Sequence, residues 1–209
     1  MPLAGPVYPV TLLLSGRSCL VIGGGQVASR KAAALVAADA DVHVVATEVG
    51  PEMRELEGLA SIEERPYRPG EVTGHWLAIA ATGDPAVNQQ VFDDGEEARV
   101  WVNSADDPQR CSFILPAIAR RGPVTVAVST SGYSPALASW LKSELEAQLG
   151  PEIAELAELL AQARAALQAQ GRATEGIDWR PGLDWAMLEL IRQGRRAEAK
   201  ERIEACLSP

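Results

Sequence analysis

Cationic charge, histidine and cysteine are scarce in this sequence, and each shortage removes a class of function. Over 209 residues, 19 Lys and Arg stand against 28 Asp and Glu, a net charge of −9. Nucleic-acid affinity rests mainly on clustered Lys and Arg, so no nucleic-acid partner is expected, and any anionic ligand must be met locally. The three cysteines, Cys19, Cys111 and Cys206, are odd in number and widely spaced. That suits neither a disulfide framework nor a CxxC metal or redox motif, and they read as reduced thiols. The two histidines, His43 and His75, have no nearby Cys/Asp pattern, so no metal site is expected. His43 reads as a packed core histidine and His75 as a loop residue. The longest apolar stretches, Trp76 to Ala81 and Val124 to Val128, fall far short of the roughly 18–20 residues of a membrane span. No basic segment leads into an apolar core at the N-terminus, so a cytoplasmic protein is expected.

What is present is a globular chain, 47% hydrophobic, with enough apolar residues to pack a core. Arg17 to Ile22 is a short β-rich run that ends directly in three glycines, followed by an alanine-rich segment. Strand, tight turn and helix are predicted. Asp41 to Thr47 has the Val-rich character of a strand buried on both faces, and the helix between supplies the crossover for parallel pairing. Further strands are expected at Ser61 to Glu64, Trp76 to Ala81 and Val100 to Asn103, with a helix from about Pro85 to Ala98. Residues 1–112 thus read as an open parallel α/β sheet flanked by helices.

From Ser112 the pattern changes. Phe113 to Leu115 and Val124 to Ser129 predict a short antiparallel unit. A helix should follow with Ser134 as N-cap, Pro135 at its first position and Gly150 as its stop, and helical composition dominates after Pro151. Three parts are expected: residues 1–112, 113–147 and 148–209. The five tryptophans, Trp76, Trp101, Trp140, Trp179 and Trp185, read as core residues.

Gly23-Gly24-Gly25-Gln26-Val27-Ala28 matches G-x-G-x-x-A. Gly23 permits the tight turn, Gly25 lets a pyrophosphate approach the backbone, and Ala28 allows close packing of helix on strand. Glycines after a strand also serve simple sharp turns. Here the strand precedes and the helix follows, and Glu48 ends the next strand where a ribose hydroxyl ligand is expected. A carboxylate there repels a 2′-phosphate, which favours NAD over NADP. Arg30 and Lys31 on the first helix read as solvated, and Arg120-Arg121 as the polar tip of a hairpin.

The glycine loop, AATGDPAVNQQV, Val102-Asn103-Ser104-Ala105-Asp106-Asp107-Pro108, Cys111-Ser112-Phe113, Pro116-Ala117 and Val126 to Pro135 occur in unbroken order. Together they resemble the precorrin-2 dehydrogenase/sirohydrochlorin ferrochelatase family, which also forms the N-terminal module of siroheme synthase. The resemblance covers roughly residues 8–150 and reads as the stand-alone form. It implies a Rossmann-like NAD-binding domain, a small strand-containing dimerisation region at 113–147 and a helical end. It implies oxidation of precorrin-2 to sirohydrochlorin with NAD+ as hydride acceptor and, in bifunctional members, insertion of Fe2+. Cofactor contacts fall on Gly23, Gly24, Gly25, Gln26, Val27, Thr47 and Glu48. The catalytic aspartate of the Asn-x-x-Asp-x-Pro motif falls on Asp106, with Asp107 adjacent. A homodimer is implied, and short strands there would leave unpaired edges in a monomer.

Aromatising the macrocycle requires a hydride acceptor and a base, and a carboxylate at the sheet's C-terminal edge suits the second role. A tetrapyrrole rich in carboxylates needs local donors. Ser129, Thr130, Ser131 and Gly132, leading into a helix, form an anion cradle or serve as a strand-to-helix cap. Arg110, Arg120 and Arg121 offer charge-assisted contacts. The competing reading is a non-catalytic NAD-binding regulatory module, which would need neither Asp106 nor a tetrapyrrole pocket.

Overall fold

A computed structural model describes residues 5–105 and 107–207. The chain divides into two compact units. One takes the chain up to Leu115 together with Ser131–Tyr133, and the other takes Pro116–Thr130 with the chain from Ser134 onward.

The first unit is built on strand β1 (Ser18–Ile22), helix α1 (Gln26–Val36), β2 (Asp41–Ala46), the short helix α2 (Pro51–Arg54), β3 (Ser61–Glu64), β4 (Leu77–Ala80), α3 (Pro85–Ala98) and β5 (Trp101–Ser104). The strands are parallel in the order β3-β2-β1-β4-β5, as the βαβ pattern predicts. Val21, Val42, Val44 and Ile79 are almost entirely buried on one face against Ala28, Ala32 and Leu35 of α1. Leu20, Ile22, Val45, Ala78 and Val102 fill the other face with Val91 of α3. Burial on both faces is why these strands read as continuous apolar runs rather than alternating ones, and each fully buried Val, Leu or Ile contributes about 1.5–3 kcal/mol. The chain steps from β3 at one edge to β4 on the far side of β1. The β1/β4 boundary is therefore the switch point, beyond whose carboxyl ends open α/β sheets take their ligands.

The second unit holds the antiparallel hairpin β6 (Ala117–Arg121) and β7 (Val124–Val128), then α4 (Pro135–Gln148), α5 (Pro151–Ala169), α6 (Trp185–Arg192) and α7 (Arg196–Cys206). Ser134 caps α4 by accepting from the Leu137 N–H at 3.1 Å, and Pro135 occupies the first turn as predicted. Leu156, Leu159, Leu167, Met187, Leu188, Ile191, Ala199 and Ile203 make this unit's own core.

Two expectations need correction. The first hairpin strand is Ala117–Arg121, starting four residues after the start of the apolar run Phe113–Leu115. That run is drawn onto the first unit instead: Cys111 bridges to Asn103, and the Phe113 carbonyl accepts from the Asn103 amide. Four tryptophans are exposed rather than core: Trp76, Trp101, Trp140 and Trp185. Trp76 and Trp101 sit at the entry ends of β4 and β5, where the sheet is no longer covered, and Trp179 packs partly against the helical core.

Candidate functional site

The site grows from the turn after β1. Gly23 has φ +121°, and a Cβ there would lie 2.3 Å from the Ala81 carbonyl oxygen at the end of β4. Gly24 is barred from a side chain by a different neighbour: its Cβ would stand 2.1 Å from the Glu48 carbonyl oxygen. Its own carbonyl accepts from the Gly50 N–H at 2.9 Å. These two glycines let the turn pack between the chain ends that follow β2 and β4. Gly25 is the opposite case, since a Cβ built there meets nothing within 4 Å.

Gly25 is also the N-cap of α1 and offers no side-chain cap, and the first turn of α1 has no acidic residue. In contrast α3, α4 and α6 are capped by Asp84, Ser134 and Asp184. The amino end of α1 thus presents N–H groups and a positive dipole end beside an exposed glycine. That arrangement fits a pyrophosphate. Ala28 is fully buried, so the helix lies close on its strand. Gln26, Thr47 and Glu48 are exposed and Val27 is half-buried. Thr47 and Glu48 follow β2 directly, on the same edge of the sheet as the turn.

The neighbouring turn after β4 is braced by Asn88, which the sequence reading did not single out. Its buried side chain accepts from the Thr82 hydroxyl at 2.7 Å and donates to the Thr82 carbonyl at 3.2 Å, while Asp84 caps α3 through Ala86 N–H at 2.8 Å.

The Asn-x-x-Asp-x-Pro segment begins within β5 at Asn103 and runs past its end. Asp106 lies outside the described residues. Asp107 has structural work to do: its carboxylate accepts from the Gln109 N–H at 3.0 Å as cap of the 3-10 turn Pro108–Arg110, and it pairs with Arg110. Arg110 in turn donates to Gln89 at 2.6 Å. Asn103 is buried and donates to the Phe113 carbonyl at 3.0 Å, while Lys31 donates to its side-chain oxygen at 3.1 Å. Lys31 is therefore half-buried and engaged, not simply solvated. An Asn on a strand and a Lys 72 residues earlier carry no shared signal in a single sequence, which is why the pair was missed.

Cys111 donates to the carbonyls of Ser104 and Asp107, and burial pushes its thiol pKa up. Cys19 is fully buried and pushed up to about 11 by desolvation, with Asp41 adding to the effect. Neither thiol has the thiolate character of a nucleophile. His43 and His75 each bond a serine hydroxyl through Nδ1, Ser61 and Ser18 respectively, both at 2.8 Å. Their rings meet edge to face at 5.5 Å. Among the described residues no group of three or more His, Cys, Asp or Glu could hold a metal ion.

In the run Ser129 to Gly132, Ser131 and Gly132 take left-handed backbone, φ 50° and 78°. They are grouped with the first unit, and Ser129 and Thr130 with the second. The Thr130 hydroxyl donates to the Ser134 carbonyl at 2.9 Å and accepts from its N–H at 3.1 Å, so it holds the approach to α4. The Arg121 guanidinium donates to the Leu149 carbonyl at 2.6 Å.

Known proteins resemble this chain in sequence and in fold. Residues 10–117 match a family described as "Putative NAD(P)-binding", and residues 121–148 match "Sirohaem biosynthesis protein central". A siroheme synthase of Nitrosococcus oceani is 36% identical over 203 residues, 95% of this chain and 43% of that protein. Siroheme synthase 3 of Aeromonas hydrophila is 40% identical over 164 residues, 78% of this chain and 35% of that one. The chain thus spans about two fifths of the length of these relatives. A solved structure described as SirC, precorrin-2 dehydrogenase, superposes with a TM-score of 0.69 at 25% identity, covering 96% of this chain and 98% of that one. Among the described residues no helix is long and apolar enough to cross a membrane.

Proposed function

The chain belongs to the NAD(P)-binding family in which siroheme synthases and precorrin-2 dehydrogenase are its relatives, and from that premise we propose that it oxidises precorrin-2 to sirohydrochlorin with NAD+. The observation that carries this reading is the uncapped amino end of α1 beside an open Gly25, at the switch point of a parallel sheet. Gly23, Gly24, Gly25, Gln26 and Val27 would hold the pyrophosphate, and Thr47 and Glu48 the adenosine ribose. The Glu48 carboxylate disfavours a 2′-phosphate by charge, which selects NAD over NADP.

When bound, the nicotinamide accepts a hydride, and the protein's task is to orient the reacting carbon and remove a proton. The overall change is precorrin-2 plus NAD+ to sirohydrochlorin plus NADH and one proton. Asp106 takes that proton. Asp107 does not compete for the role, because its oxygens are engaged by Arg110 and the Gln109 N–H. Ser129, Thr130, Ser131 and Gly132 meet the carboxylates of the tetrapyrrole through serine hydroxyls and backbone N–H groups, the Thr130 hydroxyl proton being already given to the Ser134 carbonyl. Residues 113–147 form the contact of a homodimer, and the working enzyme is cytoplasmic.

Anaerobic addition of precorrin-2 and NAD+ to the protein tests the reading. NADH and the sirohydrochlorin spectrum should appear together, and absence of both with substrate verified as active would reject it. Adding Fe2+ to the product in the same cuvette then asks whether the chain also inserts the metal to give siroheme.

A further inference from the structure

We propose that the amino-terminal edge of the parallel sheet carries a second binding site, one that takes a planar aromatic anion. A cavity of about 490 Å³ opens there, lined by Leu12, Leu13, Arg17, Trp76, Arg99 and Trp101. A volume of a few hundred Å³ is that of small-molecule sites. It lies at the opposite end of the strands from the glycine loop: Gly23 follows the last residue of β1, whereas Trp76 precedes β4 and Trp101 opens β5. Four or five strand residues at about 3.3 Å each put roughly 15 Å between the two edges.

Two features make this more than an apolar hollow. Trp76 and Trp101 are 58% and 44% exposed, and both line the cavity: Trp101 opens β5 level with Leu77, one residue beyond Trp76. Two large, partly exposed indoles on one rim offer flat apolar surface to a ligand, the Trp76 ring being covered on one face by Arg17. The second feature is charge. The Arg17 guanidinium lies 3.6 Å from the centre of a Trp76 ring, and its Nε donates to the Leu13 carbonyl at 2.7 Å. A guanidinium stacked in this way keeps the N–H groups in its plane for a carboxylate, sulfonate or phosphate.

Neither Arg17 nor Arg99 forms an ion pair with a carboxylate among the described residues; Arg30, Arg68, Arg120, Arg121, Arg164 and Arg172 share that lack, but Arg17 and Arg99 line one cavity together with two tryptophans. Two uncompensated guanidiniums beside two partly exposed indoles, in a chain of net charge −9, specify an anion with a flat ring. The walls are held before any ligand arrives. Trp76 N–H donates to the Ser18 carbonyl at 2.8 Å, Gly16 N–H to the Asp39 carbonyl at 2.8 Å and Arg17 N–H to the Leu14 carbonyl at 2.9 Å.

The experiment is a fluorescence titration of the full chain with 1-anilinonaphthalene-8-sulfonate, using N-phenyl-1-naphthylamine as its uncharged counterpart. One anionic dye should bind per chain, and saturating NAD+ should not displace it. Arg17→Gln should weaken the anionic dye about tenfold or more, the loss expected of a charge-assisted hydrogen bond, and leave the neutral dye unchanged. Trp101→Leu should weaken both. If Arg17→Gln loses its folded circular-dichroism signal, Arg99→Gln on an exposed side chain gives the same reading. An arginine variant that folds and binds the anionic dye as tightly as the parent, or displacement of the dye by NAD+, would overturn the proposal. Neither result bears on precorrin-2 turnover, so the two readings stand or fall separately.

Discussion

Lys31 Nζ donates to the Asn103 side-chain oxygen at 3.1 Å, joining the helix of the glycine loop to the strand that leads into the Asn-x-x-Asp-x-Pro segment. The same asparagine donates to the Phe113 carbonyl, so one buried amide binds α1, β5 and the returning chain. Asn103→Ala would leave the Phe113 carbonyl unpaired and take one hydrogen bond from the Lys31 ammonium, at about 2–3 kcal/mol. The expected outcome is a fall in Tm of roughly 4–12 °C for a chain of this size, by differential scanning calorimetry. An unchanged Tm would mean that the amide does not hold the segment.

The three loop glycines should separate by assay. Gly24→Ala drives a Cβ into the Glu48 carbonyl, so it should yield a protein with a lowered Tm and no cofactor binding. Gly25→Ala has open space and should keep its Tm within about 0.5 kcal/mol of stability, yet bind NAD+ at least about tenfold more weakly by isothermal titration. Equal NAD+ affinity in Gly25→Ala and the parent would place the pyrophosphate elsewhere.

Asp107→Asn removes the charge facing Arg110 and weakens the cap on Gln109. A cap is worth about 1 kcal/mol, so a small loss of Tm is expected, with precorrin-2 turnover retained within a few-fold. Turnover falling a hundredfold would move the proton acceptor to Asp107.

Burial, and then the neighbouring His43, hold the His75 imidazole below its ordinary pKa, with Glu71 opposing them. The unfolded chain therefore takes up the proton more readily than the folded one. Stability from this residue is complete above an ordinary imidazole pKa of about 6.5 and is lost as pH falls below that towards the lowered folded value. His75→Gln should show a smaller drop in Tm between pH 7.5 and pH 5.5 than the parent. An equal or larger drop would contradict this coupling.

The parallel sheet, α1, α3 and the capped start of α4 were legible because each depends on local chemistry: Val-rich runs, a glycine turn, Ser134 before proline. The boundaries of β2 and α3 fall within a residue of the pattern. The hairpin was displaced because Phe113 to Leu115 looks like a strand, and nothing local reveals that the Phe113 carbonyl answers a distant amide. The tryptophans misled for a related reason, since size and apolarity predict burial while position at a strand's entry decides exposure. Gly24 illustrates what periodicity misses altogether: its need for glycine comes from the Glu48 carbonyl across the sheet. The edge-to-face contact of His43 and His75 is likewise set by strand order and not by spacing along the chain.

The division of labour between the glycine loop and the acid at position 106 is tested most directly by Asp106→Asn, comparing NAD+ affinity with the rate of precorrin-2 oxidation. Loss of a positioned base costs about 10²–10⁴-fold in rate. The predicted result is NAD+ binding within about threefold of the parent and turnover reduced at least a hundredfold. A variant that oxidises precorrin-2 at the parental rate would contradict the account.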